Sequence, residues 1–381
     1  MKRIALEALV HEGQAIGLGL YARLLIEGLA KQQHNFNFIL FDYLSRNFKE
    51  RKNNLWTPDD PRFSLQLHWF PRPLMQFIEE KCGMKIQDMW LKQSDIDLYH
   101  GTRGILPPLS NNIKKIITVH DIGFIHHPEW YEDNPYYRFN KSCDEADIIV
   151  SDSTYTSSDL FNSCDVDPKK IRNVPLGVNP LFKTTNDHQQ LEAITNKYKL
   201  PENFVLFVGG LRPVKNLPRI LEGFAQFHKK GFKDWKLVLT GKKVYKIDEI
   251  DAVIQKYDLE EHIIFTGYIP TDDLVTLYNL ASIFIFTTLY EGFGYPVLEA
   301  MSCSTPVLAS NNSCLPETCG DAALLVSPEI TEDISDGLEQ LASDSTLRDK
   351  LIENGKNQIL KFQWDSCIKK YIEIYDEVLK S

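Results

Sequence analysis

Short, strongly apolar runs alternate with helix-forming stretches along nearly the whole chain, and few architectures accept that rhythm. Alternating strands and helices signal an α/β fold built on parallel sheets. In the first half the expected strands are Arg3–Ala8, Phe36–Phe41, Leu98–Gly101, Lys115–His120, Ile148–Ser151 and Ile171–Val174. The expected helices are Leu18–Lys31, Leu74–Lys92, Tyr136–Ala146 and Thr156–Asn162, with Leu24, Leu25, Gly28 and Leu29 as the packed stripe of the first. Pro175–Gln190 breaks the rhythm with prolines, a glycine, threonines and Asn186-Asp187, and reads as a linker. The pattern restarts at Phe204-Val205-Leu206-Phe207-Val208. Strands are expected at Lys236–Thr240, Ile263–Phe265, Ile283–Thr287, Pro306–Ala309 and Ala323–Val326, and helices at Leu217–Lys229, Asp248–Tyr257, Asp272–Ala281 and Pro296–Met301. A last helix is expected over Ser366–Leu379. Two doubly wound, Rossmann-like halves facing a cleft follow from this pattern, with ligands beyond the carboxyl ends of the strands.

A chain of 381 residues is long for one core. A net charge of −10 argues against nucleic acid as a partner. No apolar run is long enough for a membrane span, and Glu7 comes too early for the apolar core of a signal peptide. Seven scattered cysteines without a CxxC pair fit a reducing cytoplasm better than a disulfide framework. No residue set has the spacing of a metal site, and His126-His127 lacks a third ligand.

The most informative stretch is Glu291-Gly292-Phe293-Gly294-Tyr295-Pro296-Val297-Leu298-Glu299. It places one carboxylate on a glycine-rich loop after an apolar strand and a second about one turn into the next helix, whose start Pro296 favours. Free amides at that helix start attract anions, and carboxylates accept hydrogen bonds from sugar or ribose hydroxyls. Gly209-Gly210-Leu211-Arg212-Pro213-Val214-Lys215-Asn216 makes a second anion site, with Asn216 as an N-cap and Arg212 and Lys215 as cations. Gly17-Leu18-Gly19-Leu20-Tyr21-Ala22 imitates a dinucleotide fingerprint, with Asp42 as the ribose acid, but the loop before it is too long for a direct strand-to-helix turn. His120 closes an apolar strand, where it either bonds a substrate hydroxyl or is a buried structural histidine. His100 ends another strand as cleft lining, and Ser153 or Thr154 is placed to cap the next helix.

With these residues in view, the chain resembles the retaining, nucleotide-sugar-dependent glycosyltransferases of family 4, which have the GT-B fold. The two-glutamate segment Glu291–Met301 carries the likeness most specifically. Gly17–Tyr21, Val119-His120-Asp121, Ser151-Asp152-Ser153, Pro175–Asn179, Val208–Asn216, Phe265–Tyr268 and Leu315-Pro316-Glu317 extend it over nearly the whole chain. The resemblance implies an acceptor-side domain over 1–180 and a nucleotide-sugar domain over 191–364, with a helix at 365–381 crossing back to the first. It implies that Glu291, with the Phe293 and Gly294 amides, holds the donor sugar, and that Glu299 bonds the donor ribose. Arg212 and Lys215 would neutralise the diphosphate beside Gly210, with no metal or other cofactor. His120 would sit by the transferring sugar, and Gly17 and Gly19 would approach the diphosphate. Transfer would proceed on the front face with retained configuration, in the cytoplasm. GDP-mannose is the expected donor and a saccharide or lipid-linked saccharide the expected acceptor, by similarity to bacterial polysaccharide mannosyl- and rhamnosyltransferases.

Three positions depart from the family's pattern: the arginine of the phosphate loop is shifted to Arg212, Asn179 stands where an aspartate is common, and Leu20 stands where a basic residue is frequent. The alternatives are a nucleotide-sugar epimerase or hydrolase, a non-catalytic sugar-nucleotide binder, and an NAD enzyme. The Trp56–Trp90 stretch, with Trp69-Phe70-Pro71-Arg72-Pro73, either touches a membrane surface or packs into the core.

Overall fold

The computed structural model describes residues 1–7, 17–44, 55–131, 135–242 and 247–380. Ala8 and the Gly13–Ile16 part of the N-terminal loop lie outside the described residues. The chain divides into two compact units: Met1–His126 with Asp133–Gly177 and Trp364–Ser381, and His127–Glu132 with Val178–Gln363.

In the first unit, β1 (Lys2–Glu7), β2 (Phe36–Leu44), β3 (Phe63–Trp69), β4 (Leu98–Gly101), β5 (Lys114–Val119), β6 (Ile148–Ser151) and β7 (Ile171–Asn173) form one parallel sheet. Their order is β3-β2-β1-β4-β5-β6-β7. The helices are α1 (Leu18–Lys31), α2 (Arg72–Lys81), α3 (Ile86–Lys92), α4 (Gly123–His126), α5 (Tyr136–Glu145) and α6 (Thr154–Cys164). Central strands such as β4 and β6 are buried throughout, as parallel strands covered on both faces must be.

The second unit begins with α7 (His188–Tyr198) and contains β8 (Phe204–Val208), α8 (Leu217–Lys229), β9 (Lys236–Thr240), α9 (Ile247–Lys256), β10 (Ile263–Gly267) and α10 (Thr271–Leu280). It continues with β11 (Ile283–Phe286), α11 (Tyr295–Ser302), β12 (Val307–Ser310), α12 (Leu315–Cys319), β13 (Ala323–Val326), α13 (Thr331–Ser343) and α14 (Ser345–Ile359). Its parallel sheet has the order β10-β9-β8-β11-β12-β13. The last helix, α15 (Trp364–Lys380), belongs to the first unit.

Several elements differ from expectation for local reasons. The helix expected over Leu74–Lys92 is two helices, because Gly83 takes φ 66°, a left-handed conformation that ends a helix. Strand β3 was not anticipated; it is an edge strand, only half buried, and so carries a weak apolar signal. Helix α7 begins inside the expected linker, and Asp187 caps it by accepting from the Gln189 and Gln190 N–H groups. Asn216 is not a side-chain cap: its Nδ2 donates instead to the Thr287 and Pro328 carbonyls.

Strand order reverses between β1 and β4 in one sheet and between β8 and β11 in the other. Helices leaving the two flanking strands then lie on opposite faces, so a crevice opens at the carboxyl edge.

Helix α15 is held against α1 where that helix has no side chain. A Cβ on Gly28 would lie 2.4 Å from Ile368 Cγ1. Gly28→Ala is therefore expected to lower unfolding stability by about 1–3 kcal/mol through overpacking, measured by urea denaturation. An unchanged midpoint would mean that α15 is free to shift.

Candidate active site

The two strands flanking the switch point of the second sheet each end in a polar loop, and the loops are stitched together. The Leu289 N–H donates to the Val214 carbonyl at 2.9 Å. Asn216 reaches the Thr287 carbonyl at 2.9 Å. Lys215, at the end of a 3-10 turn, donates from Nζ to Glu291 Oε1. The same ammonium lies 5.0 Å from the centre of the Phe286 ring. Only 18% of the Lys215 side chain and 14% of the Glu291 side chain are exposed. A charge pair so shielded from water is stronger than a surface pair.

A third loop supports this pair. After β12, Ser313 Oγ accepts from the Glu291 N–H at 3.2 Å, and Asn312 Nδ2 donates to the Leu289 carbonyl at 2.8 Å. Neither Asn312 nor Ser313 had been singled out in the sequence, where Asn311-Asn312-Ser313 reads as a turn after a strand. Gly294 precedes α11 at φ 88°, and a Cβ there would meet Leu315 Cδ2 at 2.8 Å, so no other residue fits without strain. Thr318 Oγ1 donates to the Phe293 carbonyl at 2.7 Å and holds the loop turned toward the helix start. The Thr287 and Thr288 hydroxyls and Asn312 Oδ1 are buried and have no hydrogen-bond partner among the described residues. Buried polar atoms left open are rare, and these cluster at the ends of β11 and β12.

Glu299 stands apart from the Lys215–Glu291 pair. It is 7% exposed and accepts from Tyr278 Oη on α10 at 3.1 Å. Burial pushes its pKa up to about 7, against the opposing hydrogen bond from Tyr278. Arg212 is not part of the pair either; it lines a cavity of about 410 Å³ with Arg219, Glu222, Glu249 and Leu289. Around Gly210, the Gly209 and Leu211 N–H groups already donate to the Thr240 and Lys242 carbonyls, so those amides face β9.

The first unit brings a second polar group to its own carboxyl edge. His120 follows β5, and both ring nitrogens face acceptors: Nδ1 the Asp152 carboxylate, and Nε2 the Thr102 carbonyl at 3.0 Å. Two acceptors facing the two ring nitrogens favour the doubly protonated ring. Burial works against that charge, but the Asp152 carboxylate and the Thr102 carbonyl outweigh it and raise the His120 pKa. Thr102 Oγ1 donates to the Glu7 carbonyl at 2.7 Å, and the Glu7 carboxylate holds Arg103. Glu7 and Arg103 line a cavity of about 670 Å³ with Tyr43, Tyr99, Arg138 and Lys141. Gly17 is the residue before α1, and Gly19 lies within that helix rather than in a loop.

Other sequence candidates have structural duties. His100 is fully buried between Tyr375 Oη and Thr118 Oγ1, with its pKa lowered to about 3 by burial and by the charge of His120. Asp42 lies 3.5 Å from Arg103, so the acid that a dinucleotide reading assigns to ribose is already paired. His126 bonds Asp159 at 2.8 Å. Ser153 caps α6 through the Thr156 N–H.

Two family profiles match the chain. Residues 16–181 match the profile described as Glycosyltransferase Family 4. Residues 190–358 match the one described as Glycosyl transferases group 1. Both halves of the chain thus match glycosyltransferase profiles. The O-antigen chain mannosyltransferase B of Escherichia coli is 29% identical over 283 residues, covering 73% of this chain and 74% of that protein. Among solved structures, sucrose-phosphate synthase from Thermosynechococcus elongatus superposes with a TM-score of 0.75 at 20% identity, over 100% of both chains. Alr3699/HepE from Anabaena, in complex with UDP and glucose, gives 0.73 at 15% identity over 99% of both. These are GT-B structures, and this chain has the same fold.

The Glu299 carboxyl makes stability depend on pH in a definite direction. Its folded pKa is raised, so the folded state keeps the proton to higher pH than the unfolded chain. The group costs nothing below the ordinary value of 4.5 and progressively more as pH rises to about 7. A shift of that size corresponds to about 3 kcal/mol. Glu299→Gln is expected to be more stable than the wild type at pH 8 by a margin that closes toward pH 4.5. Chemical denaturation at the two pH values would measure it; a constant margin would rule this origin out.

Proposed function

We propose that this glycosyltransferase moves a hexose from a nucleotide-diphosphate sugar to a saccharide or lipid-linked saccharide acceptor during polysaccharide synthesis, retaining the anomeric configuration. The observation that carries the reading is the paired Lys215 and Glu291 at the switch point of the second sheet, beside the start of α11. The ligand for such a place has an anion to attract an ammonium and hydroxyls to satisfy a carboxylate. A sugar diphosphate has both.

In this reading the donor diphosphate draws Lys215 away from Glu291, with Arg212 as a second cation. The freed Glu291 carboxylate accepts hydrogen bonds from the sugar hydroxyls, and the amides of Phe293 and Gly294 face the same sugar. Lys215 and Arg212 supply the charge that a metal supplies in other transferases, so transfer is metal-independent. As the bond from the sugar to the diphosphate breaks, negative charge grows on the leaving oxygen, and fixed cations stabilise it most at that moment. Glu299 accepts from the ribose hydroxyls once ionised. Gly17 and Gly19 at the start of α1 approach the diphosphate, and the amide of Gly210 assists. In the first unit, His120 bonds the transferring sugar, and the cavity lined by Arg103 and Arg138 receives the acceptor. GDP-mannose is the donor we favour, supported by likeness to an O-antigen mannosyltransferase.

A thermal-shift panel of GDP-, UDP-, dTDP- and ADP-sugars tests the donor site. GDP-mannose is expected to raise Tm with or without chelator. The shift should vanish in Lys215→Ala, and transfer should fall by about 10²–10³-fold in Lys215→Ala and Glu291→Ala without loss of fold. Undiminished transfer in both variants would remove these residues from the site. Donor consumed without acceptor would favour a hydrolase or epimerase.

The acceptor reading carries a membrane contact. No helix among the described residues is long and apolar enough to cross a bilayer. Yet Trp69 and Phe77 are each 58% exposed, with Leu74, Met84 and Met89 exposed beside them in sequence. Lys81, Lys85 and Lys92 belong to the same segment. Exposed apolar side chains flanked by lysines suit an anionic lipid surface. Wild-type protein is expected to sediment with vesicles containing phosphatidylglycerol. Leu74→Glu with Phe77→Glu should abolish sedimentation and leave the donor-induced Tm shift unchanged. Equal sedimentation of both proteins would refute the contact.

A further inference from the structure

Beneath His120 lies a buried cluster of hydroxyls that the proposed reaction does not use. Tyr21 Oη on α1, Thr118 Oγ1 on β5 and Tyr371 Oη on α15 form a triangle with sides of 2.7, 3.1 and 3.1 Å. Thr118 Oγ1 also meets His100 Nε2 at 2.8 Å, and His100 Nδ1 meets Tyr375 Oη at 2.8 Å. Tyr21, His100, Thr118, Tyr371 and Tyr375 are all buried, at no more than 1% exposure. Dry hydroxyls are expensive to leave open, so the triangle is a rigid unit whose members fix one another.

The register aims this unit at His120. Thr118 lies in β5 and His120 directly follows that strand; His100 lies in the neighbouring β4 and Thr102 directly follows it, so the two later residues continue from the ends of paired strands. The lower layer holds His100 and Thr118; the upper layer holds the Thr102 carbonyl and His120. The Tyr21 ring bridges the layers. Its hydroxyl is in the triangle, and its ring makes a T-shaped contact with the His120 ring at 4.6 Å between centroids, with an interplanar angle of 75°. Helix α15 thus reaches His120 through a single intermediate side chain.

We propose that Tyr371 is a positioning residue: through Tyr21 it holds the His120 ring in the orientation that pairs it with Asp152 and the Thr102 carbonyl. This rests on the reading in which His120 contacts the transferring sugar. Removing the Tyr371 hydroxyl takes away the shorter of the two triangle bonds to Tyr21 and leaves that ring the longer one to Thr118, so its hold on His120 loosens. Tyr375 sits one helical turn further along the same helix, equally buried, but its hydroxyl bonds His100 and not the triangle.

The test compares Tyr371→Phe with Tyr375→Phe in the full chain. Both should lower Tm, since both delete a buried hydrogen bond. Tyr371→Phe alone should lower kcat by about tenfold with the donor KM unchanged, as a misoriented group would. It should also lower the His120 titration midpoint, followed by NMR with labelled histidine and assigned by loss of the signal in His120→Ala. The groups acting on that titration are Asp152, Asp121 and the Thr102 carbonyl, with His100 across the layer. None of them changes in Tyr371→Phe. Tyr21→Phe, which opens the triangle from the other corner, should repeat the pattern. Identical kcat and His120 midpoints in Tyr371→Phe and Tyr375→Phe would overturn the proposal. Full transfer in His120→Ala would instead overturn the role of His120, and the NMR midpoint reports on the buttress independently of activity.

Discussion

Parallel strands constrain this molecule more than any single contact. Each must be covered on both faces, and each must return to the same end of the sheet through a crossover. All loops leaving the carboxyl ends therefore gather along one edge, and the reversal of strand order between β1 and β4, and between β8 and β11, opens a crevice there. The polar groups with unusual surroundings follow that geometry. Lys215 and Glu291 leave β8 and β11, the neighbours at one switch point. Glu7, Thr102 and Arg103 leave β1 and β4, the neighbours at the other.

Charge at these edges is handled by pairing. Lys215 has Glu291, Arg103 has Glu7 and Asp42, and His120 has Asp152. A partly buried charge without a partner would destabilise the fold, and pairing offsets that cost. The same pairing defines what a ligand has to do. Whatever takes Lys215 must be anionic enough to compete with a carboxylate, and whatever then meets Glu291 must donate hydrogen bonds. Glu299 is the exception: its partner among the described residues is the neutral Tyr278 hydroxyl, and burial pushes its pKa up to about 7. A buried acid without a cation beside it costs stability, and groups with such shifted pKa values are common at functional sites.

Much of the fold was legible. The strands Leu98–Gly101, Ile148–Ser151, Phe204–Val208, Lys236–Thr240 and Ala323–Val326 stand where their apolar runs indicated, as do the helices Leu18–Lys31 and Leu217–Lys229. The elements that escaped notice have weaker patterns for physical reasons. Strand β3 is an edge strand with an exposed face, and α13 and α14 are amphipathic helices in polar sequence at the end of the second unit. The break at Gly83 was hidden because a glycine can sit inside a helix, and only its positive φ shows that it does not. Of the candidate site, Lys215, Glu291 and His120 were visible as polar residues after apolar strands. Asn312, Ser313, Thr102 and Asp152 as partners were not, because turn-like residues after a strand carry no signal of what they will bond.

By itself the sequence determined the periodicities: which segments are strands and helices, which faces are apolar, and which polar residues fall at strand ends. Those are local properties, set by side-chain spacing and backbone preference. The tertiary structure decided partners. Lys215 meets Glu291 across 76 residues, and Tyr371 meets Tyr21 across 350. An apolar stripe says that a surface will be buried but not against what. Strand order and helix packing make that choice, and they turned dispersed lysines, acids and tyrosines into a charge pair at one sheet edge and a hydroxyl triangle under a histidine at the other.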